Sequence, residues 1–219
     1  MADGGVSDPD GRPEGAEAPA GMKHICVYLG GQVGYEKRYI EEAETLGRLM
    51  AADGVGLVYG GARVGLMGVL ANAVLSNGGF ATGVVPRQLS YQELAHEGLS
   101  RLYVVDTMHE RKYKMQSLCH GCLALPGGYG TIEEIFEALT WAQKPLELHE
   151  KPCVFVNIDG YYDLLFAFLD QAAARGLLLE RNRRLARQEP TAEAALRAIQ
   201  AAWAAEEEAL LRVLREYQQ

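Results

Sequence analysis

Cysteine is scarce in this chain, with only Cys26, Cys119, Cys122 and Cys153 among 219 residues. Four cysteines in apolar settings exclude a disulfide-stapled scaffold and point to a reducing compartment. Long hydrophobic runs are missing too: none approaches the about 18 to 20 apolar residues of a membrane span. The N-terminus lacks the basic flank and apolar core of a secretory signal. A soluble, cytoplasmic protein without a membrane partner is expected. Positive charge is in deficit, with 21 Lys and Arg against 29 Asp and Glu and a formal net charge of −8. That balance opposes a broad nucleic-acid or anionic-membrane surface. Any phosphate bound must be small and locally held. The Walker pattern G-x-x-x-x-G-K-[ST] is absent, and no repeat occurs at solenoid periods.

Glycine, by contrast, is plentiful: 25 residues, above the average of about 7%, many at the ends of expected strands. The length fits one domain with a sizeable core. Residues 1–21 are rich in Gly, Pro, Ala and acids, so they cannot offset the entropy of ordering and read as a disordered leader. From Lys23 onward, short apolar runs ("HICVYLG", "GLVYGG", "GFATGVVP", "RLYVVD", "CLALPGG", "KPCVFVN") alternate with helical patterns. Continuous apolar strands separated by helices specify an α/β fold, a Rossmann-like doubly wound parallel sheet covered on both faces. This domain is expected over 22–190, followed by a helical tail at 191–219. In the tail Leu196, Ile199 and Trp203 recur at helical spacing before the acidic run Glu206 to Glu208. Its first half is expected to pack on the domain.

Ligands of open parallel sheets bind beyond the carboxyl ends of the strands. Three glycine turns fall there: "YLGGQVG", "YGGARVGLMG" and "PGGYGT". One glycine turn serves positive φ or close packing equally well, but three at one edge suggest a shared pocket. A dinucleotide fingerprint would need an acid at the end of the second strand to hold the ribose, where Tyr59, Gly60 and Gly61 stand instead. The stretch "LALPGGYGTIEEIFEALT" passes from strand through glycines into helix, an arrangement that aims backbone N–H groups and the helix dipole at an anion. Thr131 and Glu134 have the T-x-x-E spacing of a capping box. Yet a carboxylate beside an anion site opposes the anion, which chemistry at Glu134 would explain.

In "TMHERKYKMQSLC", Met108, Arg111, Lys112, Met115 and Cys119 form one helical stripe expected to face the protein. The bland reading of its two cations is a pair snorkelling at the core edge; the functional one is a phosphorylated ligand as their partner. "CHGC" invites a redox or zinc reading. Its cysteines sit where a helix ends, which disfavours thiolate, and a fourth zinc ligand is lacking beyond the distant His149. No metal is expected.

These segments match a known pattern. "YGGARVGLMG", "MHERK", "PGGYGTIEEIFEALTW" and "NIDGYYD" resemble, in order and spacing, the Lonely Guy family of cytokinin riboside 5′-monophosphate phosphoribohydrolases, formerly labelled lysine decarboxylases. The similarity runs from about Lys23 to Leu185. It implies hydrolysis of the N-glycosidic bond of an adenosine monophosphate, often N6-prenylated, to free base and ribose 5-phosphate, without a cofactor. It implies Arg111 and Glu134 as the catalytic pair, Gly127, Gly128, Gly130 and Thr131 as a phosphate loop, and Lys112 and Glu133 as nucleotide contacts. Met108, Gly60 and Gly61 join the expected substrate-binding set, with Glu93 and Thr140 as weaker members. It further implies a homodimer or larger homo-oligomer. Where the family usually has C-G-S-S after the first strand the chain has Leu29, Gly30, Gly31 and Gln32, without the hydroxyls; it departs again at Ala62 and at His120, and Lys144 and Pro145 look inserted. The alternatives are a noncatalytic nucleotide carrier with Glu134 as a mere cap and, third, a nicotinamide oxidoreductase.

Overall fold

The computed structural model describes residues 15–87, 95–143 and 151–217. Glu93, Lys144, Pro145 and His149 lie outside the described residues. In chain order the elements are β1 (His24–Tyr28), α1 (Lys37–Ala52), β2 (Gly56–Tyr59), α2 (Gly65–Ser76), β3 (Ala81–Pro86) and β4 (Arg101–Val105). There follow α3 (Met108–Leu118), β5 (Gly121–Ala124), α4 (Tyr129–Ala142), β6 (Cys153–Val156), a 3-10 turn (Ile158–Gly160), α5 (Asp163–Ala174), α6 (Glu180–Arg183), β7 (Ala186–Glu189) and α7 (Ala192–Glu216).

All strand pairs are parallel, in the order β4-β3-β2-β1-β5-β6-β7. The chain winds outward from β1 to β4, then crosses to β5 on the other side of β1 and winds outward again. The crevice at that reversal, between the carboxyl ends of β1 and β5, is where such sheets take ligands. Alternate residues of β1 feed opposite faces. Ile25 and Val27 pack with Leu46 and Met50 of α1, Leu66 and Leu70 of α2, and Leu196 and Ile199 of α7. Cys26 and Tyr28 pack with Met115 of α3, Ile135 of α4 and Phe166 of α5. Helices therefore cover both faces, as the apolar strands require.

Several expectations need correction. Within the segment read as the leader, Ala16 N–H donates to Ser100 O at 2.9 Å and Gly15 bridges Arg101 in antiparallel sense. The seventh strand, Ala186–Glu189, was not anticipated, because "ARQE" carries one buried apolar side chain and three partly or fully exposed polar ones. Nor does the inward stripe hold over the whole of α3: Met115 and Cys119 are buried while Met108 is 48% exposed.

The capping box that the T-x-x-E spacing at Thr131 and Glu134 allows does not form. Gly128 is the N-cap of α4 and the helix starts at Tyr129, so Thr131 sits within its first turn and is buried. The same T-x-x-E spacing at Thr107 does cap a helix. Thr107 Oγ1 accepts from Glu110 N–H at 3.1 Å, and Glu110 Oε2 accepts from Asp106 N–H at 3.0 Å. Among the described residues, no helix is long and apolar enough to cross a membrane.

Candidate active site

A cavity of about 680 Å³ opens at the β1/β5 crevice. One wall is the loop from Leu29 to Glu36 with Tyr39 of α1, and Leu66 and Met67 of α2 close it below. The opposite wall is Pro126, Gly127 and Gly128, followed by Gly130, Thr131 and Glu134 of α4. Arg111 of α3 and Tyr161, just after the 3-10 turn, complete it. The two loops are joined by Gly30 N–H donating to Pro126 O at 3.2 Å. An α-helix leaves its first N–H groups without partners inside the helix, so the N-terminal end of α4 offers the cavity donors and the positive end of a dipole.

Glycine at Gly127 has a steric reason: a Cβ there would meet Thr131 Oγ1 at 2.0 Å and Gly30 N at 2.9 Å. Gly128 and Gly130 would meet nothing within 4 Å, so their lack of a side chain leaves open space beside the helix start.

Arg111 and Glu134 converge from different helices. Arg111 Nη1 donates to Glu134 Oε1 at 2.9 Å, and each side chain is only 12% exposed. Arg111 Nε donates to Val84 O at 3.1 Å, which ties the guanidinium to β3. Burial pushes the Glu134 carboxyl above the usual carboxylate range, the Arg111 guanidinium pulls it back, and Glu133 pushes it up again. An enclosed carboxylate held by a guanidinium can orient a water, take its proton, or face a developing positive charge.

The other expected residues stand elsewhere. Gly60 and Gly61 do not line the cavity. Gly60 lies beneath Arg111, where a Cβ would come within 2.0 Å of Nη2, so glycine admits the guanidinium. Gly61 has φ +74 and packs against Val85. Lys112 is ion-paired with Glu133 and, at 3.2 Å, with Glu137, and the hydrogen bond to Glu133 raises its pKa. Lys112 and Glu133 thus join α3 to α4 outside the cavity lining. Thr140 Oγ1 donates to Phe136 O of its own helix at 2.7 Å, and Met108 is exposed away from the cavity.

Sequence reasoning missed Tyr35, Glu36, Tyr39, Met67 and Tyr161 as lining residues. Their signal was available only indirectly, in the "YLGGQVG" turn that Tyr35, Glu36 and Tyr39 follow, in "YGGARVGLMG" for Met67 and in "NIDGYYD" for Tyr161. His120, a departure from the family pattern, lies at the opposite end of β5, where its Nδ1 accepts from His24 N–H at 3.1 Å. Cys119 and Cys122 hold their sulfurs 3.9 Å apart in the core. Among the described residues no three His, Cys, Asp or Glu side chains are grouped to hold a metal ion.

A family model described as possible lysine decarboxylase matches residues 67–199. The cytokinin riboside 5′-monophosphate phosphoribohydrolase of Rhodococcoides fascians is 46% identical over 169 residues, covering 77% of this chain and 84% of that protein. The enzyme of the same name from Oryza sativa subsp. japonica is 41% identical over 171 residues, covering 78% and 70%. A solved molybdenum cofactor binding protein from Rippkaea orientalis superposes with a TM-score of 0.64 at 20% identity, covering 84% of this chain and 98% of that one. The molybdenum cofactor carrier protein of Chlamydomonas reinhardtii gives 0.64 at 20%, covering 84% and 99%. At that identity the two structures share the fold alone.

Proposed function

The chain belongs to the Lonely Guy family of cytokinin riboside 5′-monophosphate phosphoribohydrolases, and from that membership we propose that it hydrolyses the N-glycosidic bond of AMP or an N6-substituted AMP to the free base and ribose 5-phosphate. The observation that carries the reading is the enclosed Arg111–Glu134 pair, one turn into a helix whose N-terminal end faces the same cavity. The phosphate binds at the Gly127, Gly128 and Gly130 end of α4, supported by the donors and dipole found there. In this reading C1′ of the ribose faces Glu134.

Breaking the C1′–N bond builds positive charge on the ribosyl ring, and a nearby carboxylate stabilises it. One oxygen of Glu134 stays on Arg111 while the other orients a water and takes its proton as the water's oxygen bonds to C1′. The electron pair of the broken bond leaves with the base, which takes up a proton from solvent, and Glu134 then returns the water's proton to solvent, so that one water is consumed per bond broken. Arg111 keeps the carboxylate ionised and aimed, and its guanidinium stands where it can assist the leaving base. The reaction needs only water as co-reactant. We read the protein further as cytoplasmic, in keeping with its four buried thiols, and as a homodimer or larger homo-oligomer, as the family resemblance implies.

Purified protein is incubated with AMP and with N6-isopentenyl-AMP, and free base is measured by chromatography. Base release by the wild type is expected, with the preferred substrate given by the rates. Glu134→Gln should lower turnover by about 10²- to 10⁴-fold while AMP still binds. Binding of AMP without base release by the wild type would instead support the carrier reading.

A further inference from the structure

The segment after β6, "NIDGYYD" (157–163), is wired to both walls of the cavity. Asp159 has φ +51, the sole positive φ of a non-glycine among the described residues, and Gly160 follows at φ +78. The left-handed conformation costs backbone energy at Asp159, though not at the glycine, and marks a turn held by its surroundings. What holds it is visible. Asn157 Oδ1 accepts from Tyr162 N–H at 2.7 Å, and Asn157 Nδ2 donates to Asp163 Oδ1 at 2.7 Å and to Gln188 Oε1 of β7 at 2.8 Å. Asp159 is ion-paired with Arg38 of α1.

The turn delivers two adjacent tyrosines to the end of β5, and they act on different carbonyls. Tyr162, 2% exposed, donates its hydroxyl to Leu125 O at 2.6 Å. Tyr161, 44% exposed, lines the cavity and donates to Gly127 O at 2.7 Å, with its ring edge-on to Tyr39 at 5.8 Å. Pro126 and Gly127 are thereby bracketed, which matters because a glycine loop has no side chains to fix its own peptide planes.

We propose that Tyr161 is a positioning residue for anion binding, locking the Gly127–Gly128 peptide plane so that the start of α4 presents N–H groups rather than a carbonyl oxygen to the ligand's phosphate. In a trans peptide the C=O of Gly127 and the N–H of Gly128 point in opposite directions. Holding the one therefore aims the other. The hydroxyl also takes up the partial negative charge of a carbonyl that would otherwise repel an anion at close range. Tyr161 supplies no proton and touches no reacting bond. The inference rests on the phosphorylated-ligand part of the proposed function and not on hydrolysis itself.

The test compares Tyr161→Phe and Tyr162→Phe with wild type by calorimetric titration of ribose 5-phosphate, by steady-state kinetics with the nucleotide, and by thermal melting. A hydrogen bond of ordinary net strength predicts that Tyr161→Phe weakens ribose 5-phosphate binding about five- to tenfold and raises KM by the same factor. Its kcat should stay within about twofold, and its melting temperature should fall by less than that of Tyr162→Phe. Tyr162→Phe, which loses a buried hydroxyl, should melt lower and keep its ribose 5-phosphate affinity. Unchanged ribose 5-phosphate affinity in Tyr161→Phe overturns the proposal, as does a collapse of kcat at constant KM. If the wild type binds ribose 5-phosphate but hydrolyses no nucleotide, the proposed reaction fails, and the calorimetric comparison still decides the role of Tyr161.

Discussion

Glu134 sits where burial and Arg111 pull its ionisation in opposite directions, with burial the stronger. If Glu134 is the base proposed above, activity should rise with pH through a midpoint above 4.5, the ordinary value for glutamate. The sign for stability is the reverse. A carboxyl whose folded-state pKa is raised is favoured in its neutral form, so its contribution is present below 4.5 and is lost as pH rises through the raised value. The Glu134→Gln variant should therefore gain on the wild type in melting temperature as pH increases through that window, while losing activity. A pH–rate profile and melts of both proteins across the same range check the two signs together. A midpoint at or below the ordinary glutamate value would show that Arg111 dominates the site. At this scale Glu134 and Arg111 were legible from their motifs. The steric need for glycine at Gly60 was not, because it depends on where a side chain 51 positions later is placed.

Two helices carry the same T-x-x-E signature, and only one uses it. At Thr107 the residue preceding α3 is extended and its hydroxyl accepts from Glu110 N–H. At Thr131 the glycines upstream let α4 begin earlier, so the threonine is absorbed into the first turn and Glu134 is released to meet Arg111. Local spacing alone could not separate the two cases, since both match a capping box equally well. Thr107→Ala should cost about 1 kcal/mol of stability, read as a lower urea midpoint with an unchanged slope. No loss would mean that Glu110 and water satisfy the helix start without the hydroxyl. The stripe on α3 teaches a related point. Periodicity identified the face containing Met115 and Cys119 but not where along the helix the core ends, and Met108 lies beyond that end.

Among the described residues the strands form one seven-stranded sheet, and α7 packs against β6, β7 and α1. Ala192, Ala195, Leu196, Ile199 and Trp203 are buried there, and Trp203 Nε1 donates to His120 O at 2.7 Å. Beyond Trp203 every described residue of the helix is exposed. Ending the chain after Ala205 should therefore leave the melting temperature of the subunit nearly unchanged, whereas Trp203→Ala should cost about 3 kcal/mol through the void it leaves. Thermal melts of the two variants check this, and a large loss on truncation would assign the exposed turns a stabilising partner. The alternation of apolar strands with helical patterns determined the α/β class and the parallel sheet, because a strand apolar on both faces must be covered on both. The glycine turns determined which edge of that sheet holds the site, since the strands run parallel and their carboxyl ends share one side. Tertiary structure alone decided that Lys112 pairs with Glu133 and Glu137 instead of lining the cavity, and that Tyr39 and Tyr161 line it together. Those outcomes depend on how far apart whole helices and turns come to rest, a distance set by packing across the sheet and not written in any local period.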